Sequence, residues 1–440
     1  MGQVIDLKKV KAIHFVGVGG IGISAMARLM LKQRKKVSGS DRVSSPITSA
    51  LKKMGVRFYL GHREANLNEK TDLVVYTIAA PAGNPELTKA RRLKIPTLSY
   101  PEMLGLVSAD CFTIAVSGTH GKTTTTAMIG KIFKDAKLDP TVVVGSLMAQ
   151  TKSNLIVGRS KYFIAEACEY RRSFLNLNPR VIVITNIDYD HPDYYKNISE
   201  VQKAFGEFVS KLGRDSYLVL NRGEKSVVPI VKRFKGRVID YRAVAGKTAL
   251  SLRVPGRHNI ENAEAALAVA EIAGIPRKTA LRSLEGFKGT WRRFEYKGKT
   301  KSGALVYDDY AHHPTEIKAT LSAARELMDS KKKSLKRLTV VFQPHLYSRT
   351  KLLFKDFTES FGRADKIIVA PIYAAREKED KAISGEKLAK AIKNKGKEAI
   401  YLSDFKKIEG YLKKNSTSED LIITMGAGDI YKVSEVILKN

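Results

Sequence analysis

The chain is short of several things that would otherwise dominate its chemistry. It holds two cysteines in 440 residues, Cys111 and Cys168. That excludes a disulfide framework, offers no cysteine spacing for a metal, and fits a reducing compartment. No apolar run approaches the roughly 18–20 residues of a membrane helix. Lys8, Lys9 and Lys11 are not followed by the apolar stretch of an export signal. The expectation is a cytoplasmic protein without a membrane partner. Acidic residues are the other shortage: 44 Asp and Glu face 77 Lys and Arg, a formal net charge of +33. Such a charge attracts anions, nucleotides and nucleic acids among them. Yet the densest runs, Lys331-Lys332-Lys333-Ser334-Leu335-Lys336 and Lys393-Asn394-Lys395-Gly396-Lys397, carry no interleaved aromatics. They read as solvated surface, and no nucleic-acid partner is expected.

What the chain has is size and alternation. Hydrophobic residues make up 43% of it, enough for real cores, and the length suits two or three domains. Short β-branched runs alternate with helical stretches throughout, without internal repeats. That pattern predicts an α/β fold with parallel sheets. The expected units are 1–108, 109–297 and 298–440: a Rossmann-like domain, a central P-loop-type domain with a parallel sheet, and a second Rossmann-like domain.

Two glycine loops carry the strongest signals. In the first, the strand Ala12–Val16 enters Gly17-Val18-Gly19-Gly20-Ile21-Gly22, then a helix, then a strand ending at Asp41. This is G-x-G-x-x-G with an acidic residue where a dinucleotide fold places one. By spacing alone it allows an NAD-dependent oxidoreductase. In the second, the apolar run Phe112 to Val116 enters Gly118-Thr119-His120-Gly121-Lys122-Thr123-Thr124. Val116 stands where the usual phosphate loop has its first glycine, so this is a shorter form. Backbone N–H groups and a helix N-terminus would face an anion, Lys122 adds a full charge, and Thr123 stands where a magnesium ligand belongs. A basic nucleic-acid-dependent ATPase is also compatible with this loop.

Further groups gather at strand ends, where open α/β sheets place ligands. Glu166 and His191 each follow a buried run and are candidates for a second metal site. Asn259 and Asn262 share a helix face. They could cap that helix, or offer the paired donor and acceptor that adenine needs. Asp308-Asp309-Tyr310-Ala311-His312-His313-Pro314-Thr315-Glu316 packs carboxylates and imidazoles into nine residues. Arg349 follows another strand and is placed either to grip a carboxylate or to lie on the surface. Gly426 and Gly428 most simply make a tight strand-to-helix turn.

In this order the motifs resemble the Mur ligase family over essentially the whole chain. Phe15 to Gly22, Ser38 to Asp41, Gly118 to Thr124, Glu166-Ala167-Cys168-Glu169, Thr185-Asn186-Ile187, Arg257 to Asn262, Arg292-Arg293-Phe294, Asp309 to Glu316 and Pro344 to Thr350 carry the likeness. The resemblance implies an ATP- and Mg2+-dependent ligase. It would join the carboxylate of UDP-N-acetylmuramate to the amine of L-alanine through an acyl phosphate, as a monomer or homodimer. A sister activity, attachment of a preformed tripeptide to the same UDP-sugar, shares most of the motifs. The resemblance further implies that Gly17, Gly19, Gly20, Ile21, Gly22 and Asp41 hold the UDP-sugar. Gly118, Thr119, His120, Gly121, Lys122, Thr123 and Thr124 would hold the ATP phosphates, and Asn259 and Asn262 adenine. Thr123, Glu166 and His191 would take metal. Arg293 and Asp309 would reach the nucleotide from the domain junction. Tyr310, His312 and Arg349 would line the amino-acid pocket, with His312 as the general base. Lys196 and Lys203 sit at no position suited to a carbamoylated lysine.

Overall fold

A computed structural model describes residues 5–232, 234–246, 250–330, 334–375 and 377–439. Lys331, Lys332 and Lys333, expected as solvated surface, lie outside the described residues. Within them the chain builds three units, each around one sheet.

The first sheet contains β1 (Ala12–Val16), β2 (Lys36–Asp41), β3 (Arg57–Leu60), β4 (Leu73–Tyr76) and β5 (Thr97–Ser99). Its order is β3-β2-β1-β4-β5 and every pairing is parallel, the Rossmann arrangement. The second sheet contains β6 (Phe112–Ser117), β7 (Thr141–Val143), β8 (Leu155–Ile156), β9 (Tyr162–Glu166), β10 (Val181–Ile184), β11 (Tyr217–Leu220) and β12 (Arg237–Asp240). Its order is β12-β11-β10-β6-β9-β7-β8, parallel except at the β7–β8 edge. The third contains β13 (Glu295–Lys299), β14 (Leu305–Asp309), β15 (Arg337–Phe342), β16 (Lys366–Val369), β17 (Glu398–Tyr401) and β18 (Asp420–Met425). Its order is β13-β14-β18-β15-β16-β17, with β13 antiparallel. The expected α/β class with three domains is therefore borne out. The strands that sequence pattern did not announce are β7, β8, β12 and β13. All lie at or near sheet edges, where burial on one side only weakens the apolar signal.

β10 shows why these runs fold as they do. Val181 and Val183 enter one apolar cluster and Ile182 and Ile184 the opposite one, all four fully buried. A strand alternates its side chains between faces, and here helices cover both. Each such side chain contributes about 1.5–3 kcal/mol relative to exposure. The cluster holding Ile182 continues without a break into Phe15, Met26 and Met103 of the first unit. Shared apolar packing thus joins the first two units. The second and third are also paired through polar groups, Asp188 with Thr315 and Asp190 with Arg349.

Candidate active site at the junction of the second and third units

The second glycine loop joins β6 to the helix Lys122–Asp135. Gly118 has φ 127 and Gly121 φ 83, backbone that only glycine adopts without strain. Space is equally restrictive. A β-carbon on Gly118 would strike the Thr185 hydroxyl, and one on Gly121 would strike the Asn262 side-chain oxygen. Two loop N–H groups are already committed. Thr119 N donates to Asn186 O at 3.0 Å and His120 N to Asn186 Oδ1 at 2.9 Å. Backbone N–H groups of the loop were expected to face an anion. In the structure the free donors are those of the helix start, where no side chain caps Gly121. Asn186 carried the family likeness but no role. It is the brace of the loop.

Lys122 folds back on its own loop. Its Nζ donates to Gly118 O at 2.5 Å and Thr119 O at 3.0 Å, and pairs with Glu169 at 2.9 Å. Burial pushes the Glu169 carboxyl up, but Lys122 and then His191 outweigh it and leave the pKa below the ordinary value. Glu169, like Asn186, carried the family likeness but no role, because the nearby strand ends at Glu166. Thr123 Oγ1 donates to Glu166 Oε1 at 2.8 Å, and Gly145 N donates to the other carboxylate oxygen. Burial raises the Glu166 pKa despite Lys122 nearby. A buried hydroxyl and a half-buried carboxylate side by side are a donor set that fits a hard divalent cation. His191 faces Glu169 instead, with Nε2 3.6 Å from Oε1. Its backbone is left-handed, φ 57, and its N–H is held by Asp190 Oδ1 at 2.7 Å.

Beside the loop lies a cavity of about 360 Å³, lined by Gly121, Thr124, Asn259, Asn262, Arg293 and Asp309 among others. That is room for a nucleoside-sized ligand. Asn259 and Asn262 are buried on the helix Arg257–Ile272. Asn262 Oδ1 accepts from Thr125 Oγ1 at 3.1 Å, and Asn259 Nδ2 donates to Pro255 O at 2.6 Å. Both amides are oriented before any ligand arrives. Burial, then Arg293, brings the lining imidazole of His258 down to about 4, so it stays neutral.

Arg293 sits between two left-handed residues, Arg292 (φ 58) and Phe294 (φ 48). Asp309 pins this turn. Its Oδ2 accepts from Phe294 N and its Oδ1 from Ala311 N, each at 2.7 Å. Burial pushes Asp309 up to about 6, against Arg293 and those two N–H groups. Arg292 is an internal pin: it donates to Asp308 at 2.8 Å and to the carbonyls of Gly426 and Gly428. The glycine turn after β18 thus has a second use as its acceptor.

The two units are clasped across this cavity. Burial lowers His120, but hydrogen bonds to Asp188 and Glu316 outweigh it and raise its pKa to about 9. Thr315 Oγ1 donates to Asp188 Oδ2 at 2.7 Å. Arg349 does grip a carboxylate, but that of Asp190, through Nε at 3.0 Å and Nη2 at 2.8 Å. It is 2% exposed and also lies 3.0 Å from His345 Nδ1. It is therefore no surface arginine. His312 Nδ1 lies 3.0 Å from Tyr310 O and 3.2 Å from Glu316 Oε2, and its ring packs on His345. Arg293 stacks on Tyr310 at 5.0 Å. Tyr310, His312 and Arg349 thus share one rim at the junction.

In the first unit, Gly17 (φ 78) turns the chain out of β1. Gly19 N donates to Asp41 Oδ2 at 2.8 Å. Gly20 and Ile21 lead into the helix Ile21–Lys32, and a β-carbon on Gly22 would run into the Tyr100 ring.

Comparison with known proteins agrees with this layout. The profile "Mur ligase family, catalytic domain" matches residues 12–110, "Mur ligase middle domain" 116–247, and "Mur ligase, glutamate ligase domain" 292–428. The UDP-N-acetylmuramate–L-alanine ligase of Acetivibrio thermocellus is 43% identical over 100% of this chain and 98% of its own. That of Clostridium tetani is 42% identical over 98% and 99%. The crystal structure of UDP-N-acetylmuramate–alanine ligase from Thermotoga maritima superposes with a TM-score of 0.81 at 28% identity, covering 98% of both chains. A murein peptide ligase from Psychrobacter arcticus shares the fold, with a TM-score of 0.70 at 23% identity over 97% of this chain and 98% of its own.

Proposed function

Because the chain belongs to the Mur ligase family, we propose that it joins the carboxylate of UDP-N-acetylmuramate to the amino group of L-alanine, using ATP, in the making of peptidoglycan precursors. The observation that carries this reading is that Gly121 and Thr124, which flank Lys122 and Thr123 in the loop, line the cavity bearing Asn259, Asn262 and Arg293, while Thr123 is bonded to Glu166. It sits beside full-length likeness to alanine ligases at 42–43% identity.

A carboxylate resists attack by an amine, so it must first be activated. Transfer of the γ-phosphoryl group of ATP to the substrate carboxylate gives an acyl phosphate. The amine attacks its carbonyl carbon, the bond to the phosphate oxygen breaks, and the proton leaving nitrogen needs a base. In this reading Lys122 leaves the carbonyls of its own loop to neutralise phosphate oxygens. Thr124 and the helix start supply further donors. Asn259 and Asn262 orient adenine, and Arg293, held by Asp309, reaches the phosphates from the third unit. Thr123, Glu166 and, after a shift from Glu169, His191 would hold Mg2+. When bound, that ion screens the charge gathered between phosphate and carboxylate. Tyr310, His312 and Arg349 line the amino-acid side, and His312 is the base. The first unit, 1–108, holds the UDP-sugar on Gly17 to Gly22, with 109–297 and 298–440 as the other units. Among the described residues no helix is long and apolar enough to cross a membrane. The reading is of a cytoplasmic enzyme acting as a monomer or homodimer.

A coupled assay for ADP release tests the proposal. ADP must appear only when both UDP-N-acetylmuramate and L-alanine are present. Release that requires the tripeptide instead of alanine would move the enzyme to the recycling activity. No amine-dependent release would sink the reading.

A further inference from the structure

His313 has no part in the reaction outlined above, yet it is buried at the junction opposite two groups of the second unit. We propose that His120, Asp188 and His313 form a binding site for a zinc-class transition-metal ion that ties the second unit to the third. The inference rests on side-chain geometry alone and not on the ligase reading.

One ligand atom from each residue lies within 4.8 Å of the others. His120 Nε2 is 3.3 Å and His313 Nδ1 3.8 Å from Asp188 Oδ2. Zinc bonds to nitrogen and oxygen of about 2.0–2.2 Å place tetrahedral ligands roughly 3.3–3.5 Å apart. Two of the three separations are thus within a few tenths of an ångström of that spacing, and the third, between the two imidazoles, is at most 4.8 Å.

The outer partners favour the same assignment. A ligating imidazole usually donates its other N–H to a carboxylate or a carbonyl, which aims the free lone pair at the metal. His120 presents its remote nitrogen, Nδ1, to Glu316 Oε1 at 3.2 Å. His313 presents Nε2 to Tyr189 O at 3.2 Å. A carbonyl only accepts, so Nε2 carries the hydrogen and Nδ1 holds the lone pair. A long contact from Thr315 N, 3.3 Å, now meets that lone pair and would yield to a metal. The carboxylate is steadied too, by the Thr315 hydroxyl on Asp188 Oδ2 at 2.7 Å. Two imidazoles and one carboxylate suit zinc, cobalt or nickel, whereas magnesium prefers oxygen donors. The set is thus chemically distinct from the pair Thr123 and Glu166. Three protein ligands leave a fourth position for water or a ligand oxygen, and His120 and Asp188 also line the cavity.

The test is a Co2+ and Zn2+ titration of the full chain in magnesium-free buffer, followed by visible absorption and calorimetry. The wild type should take up one Co2+ with the intense visible bands of a four-coordinate site, and Zn2+ should displace it. His313→Gln and Asp188→Asn should each weaken Zn2+ binding by at least the about 10–100-fold that loss of an outer partner costs. Glu166→Gln should leave the bands in place. Asp188 is partly exposed, so its variant decides the matter if His313→Gln does not fold. Unchanged affinity in Asp188→Asn, or bands that vanish only in Glu166→Gln, would overturn the proposal.

Discussion

Gly17–Gly22 and Gly118–Thr123 each lead a parallel strand into a helix, and each uses glycine where the backbone turns left-handed. The first is held mainly from within its own sheet: Gly17 N and Val18 N both donate to Ser40 O, and Gly19 N to Asp41. The second is held from four directions: Thr185 and Asn186 after β10, Glu169 after β9, Asn262 on a distant helix, and Glu316 of the third unit. A carboxylate closes the first loop, and a lysine closes the second. Glycine spacing therefore sets the shape of the turn, and residues brought in by the fold set its charge and its reach. A loop held mainly within its own sheet, with one bond from Asn154 of the second unit to Ile21 O, can bind. A loop tied to its own unit and to the third can also couple binding to closure.

The comparison breaks most visibly at Lys122. Lys122→Ala should lower kcat by about 10²–10³-fold or more, the loss seen when one fixed donor to a developing charge is removed. Affinity for the UDP-sugar, measured by calorimetry, should hardly change. Loss of both would mean that the two loops do not act separately. Glu169→Gln should come next. It keeps an acceptor for Lys122 Nζ but removes the counter-charge of a largely buried ammonium, which costs up to about 3 kcal/mol. ATP phosphates would give Lys122 a new partner, so the deficit in unfolding midpoint should shrink when ATP is present. An equal deficit with and without ATP would assign Glu169 a purely structural role.

Much of this was legible in the sequence because it is local. β10 and β6 announce themselves by short β-branched runs, and Gly118 and Gly121 by their place between strand and helix. The three-unit order followed from the sequence of motifs. The illegible part depends on contacts far apart in the chain. Nothing near Asn186 says that it will take the N–H groups of Thr119 and His120, 66 residues earlier in the latter case. Arg349 was readable as a carboxylate binder, but its partner Asp190 lies 159 residues away. His191 likewise follows its strand as expected, but its left-handed backbone turns it to Glu169. Spacing identifies which groups are available and cannot pair them across a junction.

Two smaller effects sharpen the contrast. Asp41→Asn keeps an acceptor for Gly19 N and removes the negative charge beside the first loop. The KM for the UDP-sugar should change by no more than about tenfold, the scale of one hydrogen bond to a charged group, with kcat unchanged. A fall in kcat instead would show that the first loop, too, communicates with the reaction.

The smallest effect is a pH dependence that only the second loop can have. His120, pulled down by burial but raised further by Asp188 and Glu316, reaches about 9 from an ordinary 6.5. Its charged form is favoured in the folded protein. The stabilisation is therefore complete below about pH 6.5 and is lost as pH rises through 9. The urea midpoint should fall across that window in the wild type, and more gently in His120→Gln. Asp41→Asn should follow the wild-type curve, because Asp41 holds the first loop and makes no contact with His120. If His120→Gln keeps the full slope, the charge is not what joins the loop to the third unit. The clasp would then rest on contacts that do not involve His120, such as Thr315 to Asp188.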